Sequence, residues 1–268
     1  MHYLVCVKQV PDSRQMRIDP VSGTLIRTGV PAILNPYDIF AVSAAVNLKH
    51  RYGGKISVLT MGPLQAVSAL QECIAMGCDQ AFHLTDIALA GSDTLATSYA
   101  LVKAIEHIHQ KEPIDIIFTG KQTIDGDTAQ VGPGIATRLD WSQITYCSRI
   151  LRVDWDKRLI VVERKLEKGW EIVEAKLPVL IMCLPDFGLP PRTSPAQMLL
   201  GFSCTPIQMD TRMLEMDRTR IGLKGSPTIV KRTYVPTEKR NTQYLDGKNP
   251  KHTIKALLKL FQEKNLVG

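Results

Sequence analysis

The chain has 268 residues, of which 44% are hydrophobic and 22% are charged, which is ordinary for a globular protein with one good-sized core. The net charge of +7 raises the question of nucleic-acid binding, but the basic residues are scattered and aromatic residues make up only 6%. An acidic redox partner or an anionic nucleotide would account for the charge equally well. We therefore predict no nucleic-acid partner.

The cysteines and the apolar segments indicate the cellular compartment of the protein and whether it binds a metal. The six cysteines contain no Cys-x-x-Cys pair and no His–Cys cluster with metal-ligand spacing. Free thiols within apolar strands behave as small hydrophobic side chains, and such use of cysteine is typical of a reducing compartment. The N-terminus does not resemble a signal peptide, and no apolar run approaches the roughly 18 residues of a membrane span. We expect a cytoplasmic protein with no metal and no membrane span.

Short apolar runs alternate with helical patterns in the first half of the chain. Strands are predicted at residues 3–10, 55–60, 80–84 and 114–119. Two of the intervening helices carry apolar side chains at spacings of three and four: Phe40, Ala44, Ala45 and Leu48 in one, and Leu95, Tyr99, Val102, Ile105 and Ile108 in the other. This alternation predicts an α/β fold whose parallel sheet is covered on both faces. Residues 16–26 predict a small hairpin before the first helix.

Three strand-to-helix junctions carry recognisable helix starts. Asn35 is a predicted N-cap, because Pro36 follows it at the first helical position. Residues 61–63 form a strand–glycine–proline–helix junction, and Ser92 is a predicted cap for the next helix. The carboxyl ends of parallel strands share one edge of a sheet. We therefore expect residues 6–11, 60–63 and 120–128 to converge on one crevice.

Residues 120–133, Gly-Lys-Gln-Thr-Ile-Asp-Gly-Asp-Thr-Ala-Gln-Val-Gly-Pro, are the most informative segment of the chain. They join a buried strand to a helical pattern at residues 131–139, and such turns are where open α/β sheets bind ligands. The free N–H groups at the helix start suit a pyrophosphate. Asp125 and Asp127 suit ribose hydroxyls, and Asp127 could also cap the helix. A capped turn without a ligand explains the spacing equally well.

After residue 140 the pattern changes. Residues 144–153, 159–166 and 170–175 predict an antiparallel meander, which ends in an apolar strand at 178–184. Residues 185–206 are rich in proline, which excludes a continuous helix or central strand through most of them.

The C-terminal part lacks a core pattern of its own. Residues 222–250 are polar and predict an extended arm. A short amphipathic helix at 252–263 follows, with Ile254, Leu257, Leu258 and Phe261 on one face. An arm and a helix that cannot bury themselves favour wrapping around a partner subunit.

Catalytic signatures are missing from the sequence. There is no P-loop, Gly132-Pro-Gly134 lacks the third glycine of a dinucleotide fingerprint, and no nucleophile has a plausible base. This favours a protein that holds a cofactor over one that makes or breaks bonds itself. Lys8 either balances the charge of a flavin or phosphate or is a solvated lysine. Thr94 and Thr97, one helical turn apart, either face a ligand or form a polar helix face.

Several separated motifs resemble the β (small) subunit of the electron-transfer flavoproteins. Residues 120–133 resemble that family's nucleotide-binding segment, and residues 4–12 resemble its first strand and loop. Residues 35–38, 60–63 and 93–98 follow in the family's order and spacing. The resemblance extends from residue 1 to about 185, and more loosely to the C-terminus.

This resemblance implies a Rossmann-like fold of the adenine-nucleotide α-hydrolase-like type and pairing with an α subunit that holds a redox-active FAD. In one branch of the family the β subunit binds structural AMP. In the electron-bifurcating branch it binds a second FAD, which takes electrons from NADH and passes them to the α-subunit FAD and to ferredoxin or flavodoxin. Residues 93–97, 125–132 and 225–227 resemble the bifurcating branch more closely. We therefore expect FAD, with AMP as the alternative, and an FAD-dependent dehydrogenase as a further partner.

The matching positions imply a nucleotide site built from five parts of the chain. Its residues are Cys6, Val7, Lys8, Asn35, Pro36, Tyr37, Asp38, Met61, Gly62, Thr94, Thr97, Gly120, Lys121, Gln122, Thr123, Asp125, Gly126, Asp127, Thr128, Ala129, Gln130 and Val131. No catalytic residue is implied. A stand-alone adenine-nucleotide-dependent enzyme or sensor of the related type is the other candidate function.

The expected domains are a nucleotide-binding domain at 1–221, with a meander at about 143–184 and a partner loop at about 185–206, and an arm with a helix at 222–268. One departure from the family concerns the partner loop. Met198 is followed by Leu-Leu-Gly-Phe-Ser-Cys in place of the family's lysine-rich run, which favours an apolar, permanent interface.

Overall fold

The computed structural model describes residues 1–12, 17–18, 25–26, 31–228, 242, 244–245 and 247–266. The chain divides into two compact units, Met1–Arg232 and Thr233–Gly268.

Among the described residues, the first unit contains the strands and five α-helices. Its strands are β1 (His2–Val7), β2 (Gln9–Pro11), β3 (Arg17–Ile18), β4 (Leu25–Ile26), β5 (Ala32–Leu34), β6 (Lys55–Met61), β7 (Gln80–Leu84), β8 (Ile116–Gly120), β9 (Ser142–Asp154), β10 (Leu159–Leu166), β11 (Gly169–Lys176), β12 (Val179–Cys183) and β13 (Ile207–Met209). Its α-helices are α1 (Pro36–Tyr52), α2 (Val67–Ala75), α3 (Thr94–Lys111), α4 (Val131–Leu139) and α5 (Pro195–Ser203). Short 3-10 helices occupy Leu64–Ala66, Ile87–Leu89 and Pro185–Phe187.

Nine strands form one sheet in the order β11-β10-β9-β12-β8-β1-β6-β7-β13. Every neighbouring pair from β9 to β13 in this order is parallel, whereas β10 is antiparallel to both β9 and β11. The prediction of a Rossmann-like parallel sheet with an antiparallel meander is confirmed.

Alternate residues of the central strands pack into two separate hydrophobic cores. Tyr3, Val5 and Val7 of β1 pack in the cluster that contains the apolar faces of α1 and α2. Leu4 and Cys6 pack in the cluster that contains those of α3 and α4. Every residue of β1 is buried, as expected for a parallel strand covered on both faces.

Several predicted elements differ in detail. The strand predicted at 3–10 is two strands, because the chain leaves the main sheet after Val7 and β2 pairs with β5 in a separate two-stranded sheet. Leu95 is 48% exposed, since it lies in the first turn of α3, whereas Tyr99, Val102, Ile105 and Ile108 are buried as predicted. The hairpin predicted at 16–26 is present as the antiparallel pair β3–β4, and the rest of that segment lies outside the described residues.

The proline-rich segment contains a helix that the sequence analysis did not identify. Ser194 and Gln197 form a reciprocal capping box at the start of α5, and Pro195 occupies the first helical position. The remaining prolines of the segment lie outside α5. Proline therefore starts this helix instead of interrupting it.

The C-terminal arm is described only in part. Residues 222–228 form turns within the first unit, and most of the predicted arm beyond them lies outside the described residues. In the second unit, helix α6 (Pro250–Glu263) confirms the predicted amphipathic helix and begins slightly earlier than predicted. Its four predicted apolar-face residues are between 36% and 56% exposed.

Three further observations concern the part of the chain that the structure describes. None of its helices is long and apolar enough to cross a membrane. No group of three or more histidine, cysteine or acidic side chains there could hold a metal ion. All six cysteines are free thiols, and only Cys204 is not buried.

Candidate functional site

The candidate site lies where β8, β1 and β6 end side by side. Cys6 of β1 is in register with Thr119 of β8 on one side and with Leu59 of β6 on the other. The segments that follow these strands therefore leave the sheet at the same edge. The structure thus brings together Lys8, residues 61–62 and the loop after Gly120, as predicted for the junctions of a parallel sheet.

Hydrogen bonds fix the end of β1 to its neighbours. Thr60 Oγ1 donates to Val7 O at 2.8 Å, and Lys8 N donates to Asp38 Oδ2 at 2.7 Å. Asn35 N donates to Lys8 O at 2.9 Å. The start of α1 is therefore attached directly to the chain that leaves β1.

Asn35 occupies the N-cap position of α1, but its side chain does not cap the helix. Its Nδ2 donates to Gln122 O at 2.9 Å, and its Oδ1 accepts from Ile124 N at 3.3 Å. The prediction that the Asn35 side chain caps α1 is therefore wrong, because both polar groups of its amide bind the loop after β8.

Gly120 has a steric reason to be glycine. A Cβ atom there would lie 2.7 Å from Tyr37 C and would also overlap the carboxylate of Asp38. The start of α1 can approach β8 this closely only because residue 120 lacks a side chain.

Burial controls the ionisation of two residues at this edge. Burial raises the pKa of Asp38 to about 7, although hydrogen bonds from the Asn35 side chain and from the N–H groups of Lys8 and Gly120 oppose the rise. Burial also raises the pKa of the Cys6 thiol to about 12, and the nearby charge of Asp38 adds to the rise. Cys6 is therefore a neutral thiol at pH 7 and a poor nucleophile.

The loop between β8 and α4 is held by short internal contacts. Lys8 Nζ lies 2.8 Å from both carboxylate oxygens of Asp125. Thr123 Oγ1 donates to Gly126 O at 3.0 Å, and Thr128 N donates to the same oxygen at 2.9 Å. Lys8 thus faces the crevice as predicted, with its charge balanced by Asp125.

The start of α4 is open to a ligand. Gln130 occupies the N-cap position and no side chain caps this helix, so the prediction that Asp127 caps it is wrong. Asp127 lies too early in the loop, and the chain turns through a left-handed residue, Ala129, before the helix begins. The first N–H groups of α4 therefore lack a side-chain acceptor, which suits an anionic group.

Thr119 is a candidate site residue that the sequence analysis missed. Its hydroxyl is buried and has no hydrogen-bond partner among the described residues. It lies beside the first turn of α4, since a Cβ atom on Gly132 would be 3.1 Å from Thr119 Oγ1. A buried polar atom without a partner is unfavourable, so a ligand group or a water is expected there. The one signal in the sequence was a polar residue near the end of an otherwise apolar strand.

The second side of the crevice begins at α3. Asp93 caps this helix, with Oδ1 accepting from the N–H groups of Leu95 and Ala96 at 3.0 Å. The prediction that Ser92 is the cap is therefore wrong. Ser92 Oγ instead donates to Leu89 O at 2.7 Å and accepts from Gly222 N at 3.1 Å.

Residues 222–228 are hydrogen-bonded to the start of α3. Asp93 N donates to Ser226 Oγ at 2.8 Å, and Asp93 Oδ2 accepts from Thr228 N at 3.1 Å and from Thr228 Oγ1 at 2.8 Å. The sequence motif at 225–227 therefore lies beside the candidate site, although more than 90 residues separate it from the other predicted site segments.

The remaining predicted residues are distributed around this frame. Thr94 Oγ1 donates to Gln130 Oε1 at 2.9 Å, which joins α3 to the start of α4, and Thr97 is partly exposed one turn further on. Met61 packs against the core under α3. Lys121 is directed elsewhere, with Nζ 5.3 Å from the centre of the Tyr146 ring.

The two glycines at 132 and 134 serve helix packing. A Cβ atom on Gly134 would lie 2.8 Å from Ser98 Oγ of α3, and one on Gly132 would lie 3.2 Å from Met182 Cγ of β12. Close contact between elements accounts for both, so the incomplete dinucleotide fingerprint needs no ligand to explain it.

Comparison with known proteins identifies the family. The electron transfer flavoprotein domain matches residues 22–197 of this chain. The chain belongs to the electron transfer flavoprotein family. Protein FixA of Azotobacter vinelandii is 47% identical over 269 residues, which cover 98% of this chain and 95% of the relative. The electron transfer flavoprotein subunit beta of Thermoanaerobacterium thermosaccharolyticum is 44% identical over 268 residues and 100% of both chains.

A further electron transfer flavoprotein subunit beta, from Clostridium acetobutylicum, is 42% identical over 264 residues, covering 98% of this chain and 99% of its own. The resemblance to the β subunit that the sequence motifs indicated is thereby confirmed. Electron transfer is the role that this family membership supports.

Proposed function

We propose that this chain is the β subunit of an electron-bifurcating electron transfer flavoprotein and that it binds FAD at the carboxyl edge of β8, β1 and β6. With an α subunit that holds its own FAD, it would pass electrons from NADH to that FAD and to ferredoxin or flavodoxin, in association with a partner dehydrogenase. The observation that carries this proposal is the uncapped start of α4 beside the unpaired hydroxyl of Thr119.

The residues at this edge fit a dinucleotide. The free N–H groups of α4 would hold the pyrophosphate, and the hydroxyls of Thr94 and Thr97 would lie alongside it on α3. Asp125 and Asp127 would accept hydrogen bonds from ribose hydroxyls. An isoalloxazine ring would lie beside the partly buried Met61 and the backbone that follows Val7, because the side chains of Val7 and Val10 are themselves buried. When bound, FAD supplies the two-electron and one-electron redox chemistry, which no side chain of this site provides.

AMP is the alternative ligand, and it would leave the part of the site beside Met61 unused. The two cases differ in the flavin content of the purified αβ heterodimer. Two flavins per heterodimer are the expected result. One flavin together with AMP released on denaturation would overturn the proposal of FAD in this subunit and support the non-bifurcating alternative.

The second candidate function is a stand-alone adenine-nucleotide-dependent enzyme or sensor. The exposed apolar faces of α5 and α6 favour obligate pairing, because large apolar patches on a monomer mark interaction sites. A monomer that hydrolyses ATP or transfers adenylate would support the stand-alone function instead.

We assign the docking of the partner dehydrogenase to α5. Leu199, Leu200 and Phe202 are between 61% and 73% exposed. The opposite side of α5 is fixed to α2, because Gln71 Nε2 donates to Phe202 O at 3.1 Å and a Cβ atom on Gly201 would lie 2.9 Å from Ala75 Cβ. A rigid helix that presents apolar side chains loses little entropy on docking.

A further inference from the structure

Asn35 and Asp38 join the ends of β1 and β8 from beneath the crevice. The Asp38 carboxylate accepts from Lys8 N at 2.7 Å and from Gly120 N. The Asn35 side chain binds the backbone of Gln122 and Ile124 in the loop before α4. Asn35 is 0% exposed and Asp38 is 5% exposed, so neither side chain offers a surface to a ligand.

We propose that Asn35 and Asp38 are positioning residues for the nucleotide, which they affect only by holding the loop after β8 against the end of β1. This inference rests on the proposed function. It replaces the direct nucleotide contact that the sequence motif implied for both residues. The loop they hold leads to the two features that would meet the ligand, Asp125 with its partner Lys8 and the open start of α4.

The contact of Asp38 with the ends of β1 and β8 depends on whether its carboxyl group is protonated. An ionised carboxylate is only an acceptor and can receive both backbone N–H groups, whereas a protonated one places a donor among them. Because burial raises the pKa of Asp38 to about 7, the change falls near neutral pH.

The other charged and titratable groups near Asp38 are one lysine and three cysteines. Lys8 is paired with Asp125. The thiols of Cys6 in β1, Cys73 in α2 and Cys183 in β12 have pKa values that burial raises far above neutrality, so they stay uncharged.

Asp115 provides a matched control at the opposite edge of the sheet. Its Oδ2 accepts from His2 N at 2.9 Å and its N–H donates to His2 O at 2.9 Å, so it joins the same two strands at their amino ends. It also forms an ion pair with Arg158. Asp115→Asn should therefore perturb the β1–β8 pair without reaching the crevice.

The experiment compares Asp38→Asn, Asn35→Ser and Asp115→Asn in the full chain within its heterodimer. Each apoprotein is titrated with FAD and with AMP at about pH 8. For whichever nucleotide the wild type binds, we expect Asp38→Asn and Asn35→Ser to weaken binding about tenfold or more and Asp115→Asn to change it less than about twofold.

Hydrogen exchange of the apoprotein separates positioning from general destabilisation. The protection factor of the Lys8 amide should fall in the wild type as the pH is lowered through about 7, and it should not depend on pH in Asp38→Asn. Asn35→Ser should expose the Ile124 amide. In Asp115→Asn only the His2 amide should lose protection.

The outcomes are distinct. A wild type that binds neither nucleotide overturns the proposed function and this inference with it. A wild type that binds while Asp38→Asn and Asn35→Ser bind equally well overturns this inference alone. If Asp38→Asn fails to assemble, the wild type still tests the role of Asp38. A protection factor of the Lys8 amide that does not vary with pH would show that Asp38 does not position the end of β1.

Discussion

Lys8 and Asp125 face each other across the mouth of the crevice, with Lys8 Nζ 2.8 Å from each carboxylate oxygen. Lys8 follows β1 and Asp125 belongs to the loop after β8, so only the fold brings them together. Both side chains are partly exposed, and pairs of this kind contribute little to the free energy of unfolding. We therefore expect the importance of this pair to lie in ligand binding.

Asp125→Ala should weaken nucleotide binding by about 1–3 kcal/mol, through lost hydrogen bonds to a ribose or to the turn. The melting temperature should change little. Calorimetric titration of the apoprotein measures the effect. Glu171→Ala, which removes the exposed acidic partner of Arg164 far from the crevice, is the control. Unchanged affinity in Asp125→Ala would remove this residue from the site.

Thr94→Val and Thr97→Val together should lower flavin content and the rate of NADH-driven reduction. The double change removes the hydroxyl that binds Gln130 and a second hydroxyl one turn away, while it keeps the shape of both side chains. Thr137→Val, which removes a hydroxyl bonded only within α4, is the matched control. Full flavin content and full reduction in the double variant would show that α3 does not face the cofactor.

Gly120→Ala should be strongly destabilising, whereas Gly126→Ala should be tolerated. At residue 120 the new methyl group would overlap Tyr37 and Asp38, and at residue 126 the nearest atom is Thr123 Oγ1 at 3.7 Å. Overpacking of this kind typically costs about 1–3 kcal/mol. Denaturant unfolding of the two variants provides the comparison, and equal stability would contradict the close approach of α1 to β8.

Leu199→Asp with Leu200→Asp should abolish electron exchange with the dehydrogenase. Both flavins and NADH oxidation by artificial acceptors should be retained, because both side chains point into solvent. Ile87→Asp, at an apolar side chain that is even more exposed, controls for added surface charge. Loss of flavin or of the heterodimer in the double variant would instead make α5 a structural element.

Asp38 should make the free energy of unfolding depend on pH. Its pKa is raised from 3.8 to about 7 by burial, so the folded chain keeps a proton that the unfolded chain has already lost. Its contribution to stability is therefore fully present below pH 3.8 and is lost as the pH rises through about 7. Asp38→Asn should reduce the difference between unfolding free energies measured at about pH 5 and about pH 8. An unchanged difference would assign the dependence to another group.

The fold was predictable where local patterns decide it. A strand or helix that is buried on one or both faces has a matching pattern of apolar residues. Examples are the buried run from Leu4 to Val7 and the spacing of Tyr99, Val102 and Ile105. The helix α5 was missed because prolines suggested an interruption, although Pro195 stands at the one helical position where proline is favourable.

The sequence predicted which segments form the site, but it did not predict which contacts the individual side chains make there. The bonds from Asn35 to Gln122 and Ile124 join residues more than 80 positions apart, so no local pattern shows that the loop takes the side chain away from its helix. The same applies to Asp93, whose second carboxylate oxygen holds Thr228, and to Thr119, whose hydroxyl is significant only because α4 covers it.

The burial of five of the six cysteines gives this protein a single convenient attachment point for a reporter group. Thiol reagents attack the thiolate, and burial raises the pKa of the other five thiols and shields them from the reagent. Burial also raises the pKa of the Cys204 thiol, but this side chain is partly exposed, so a reagent can reach it. Cys204 is the C-cap residue of α5. A fluorophore attached there without any mutation would lie at the end of the helix proposed to meet the dehydrogenase.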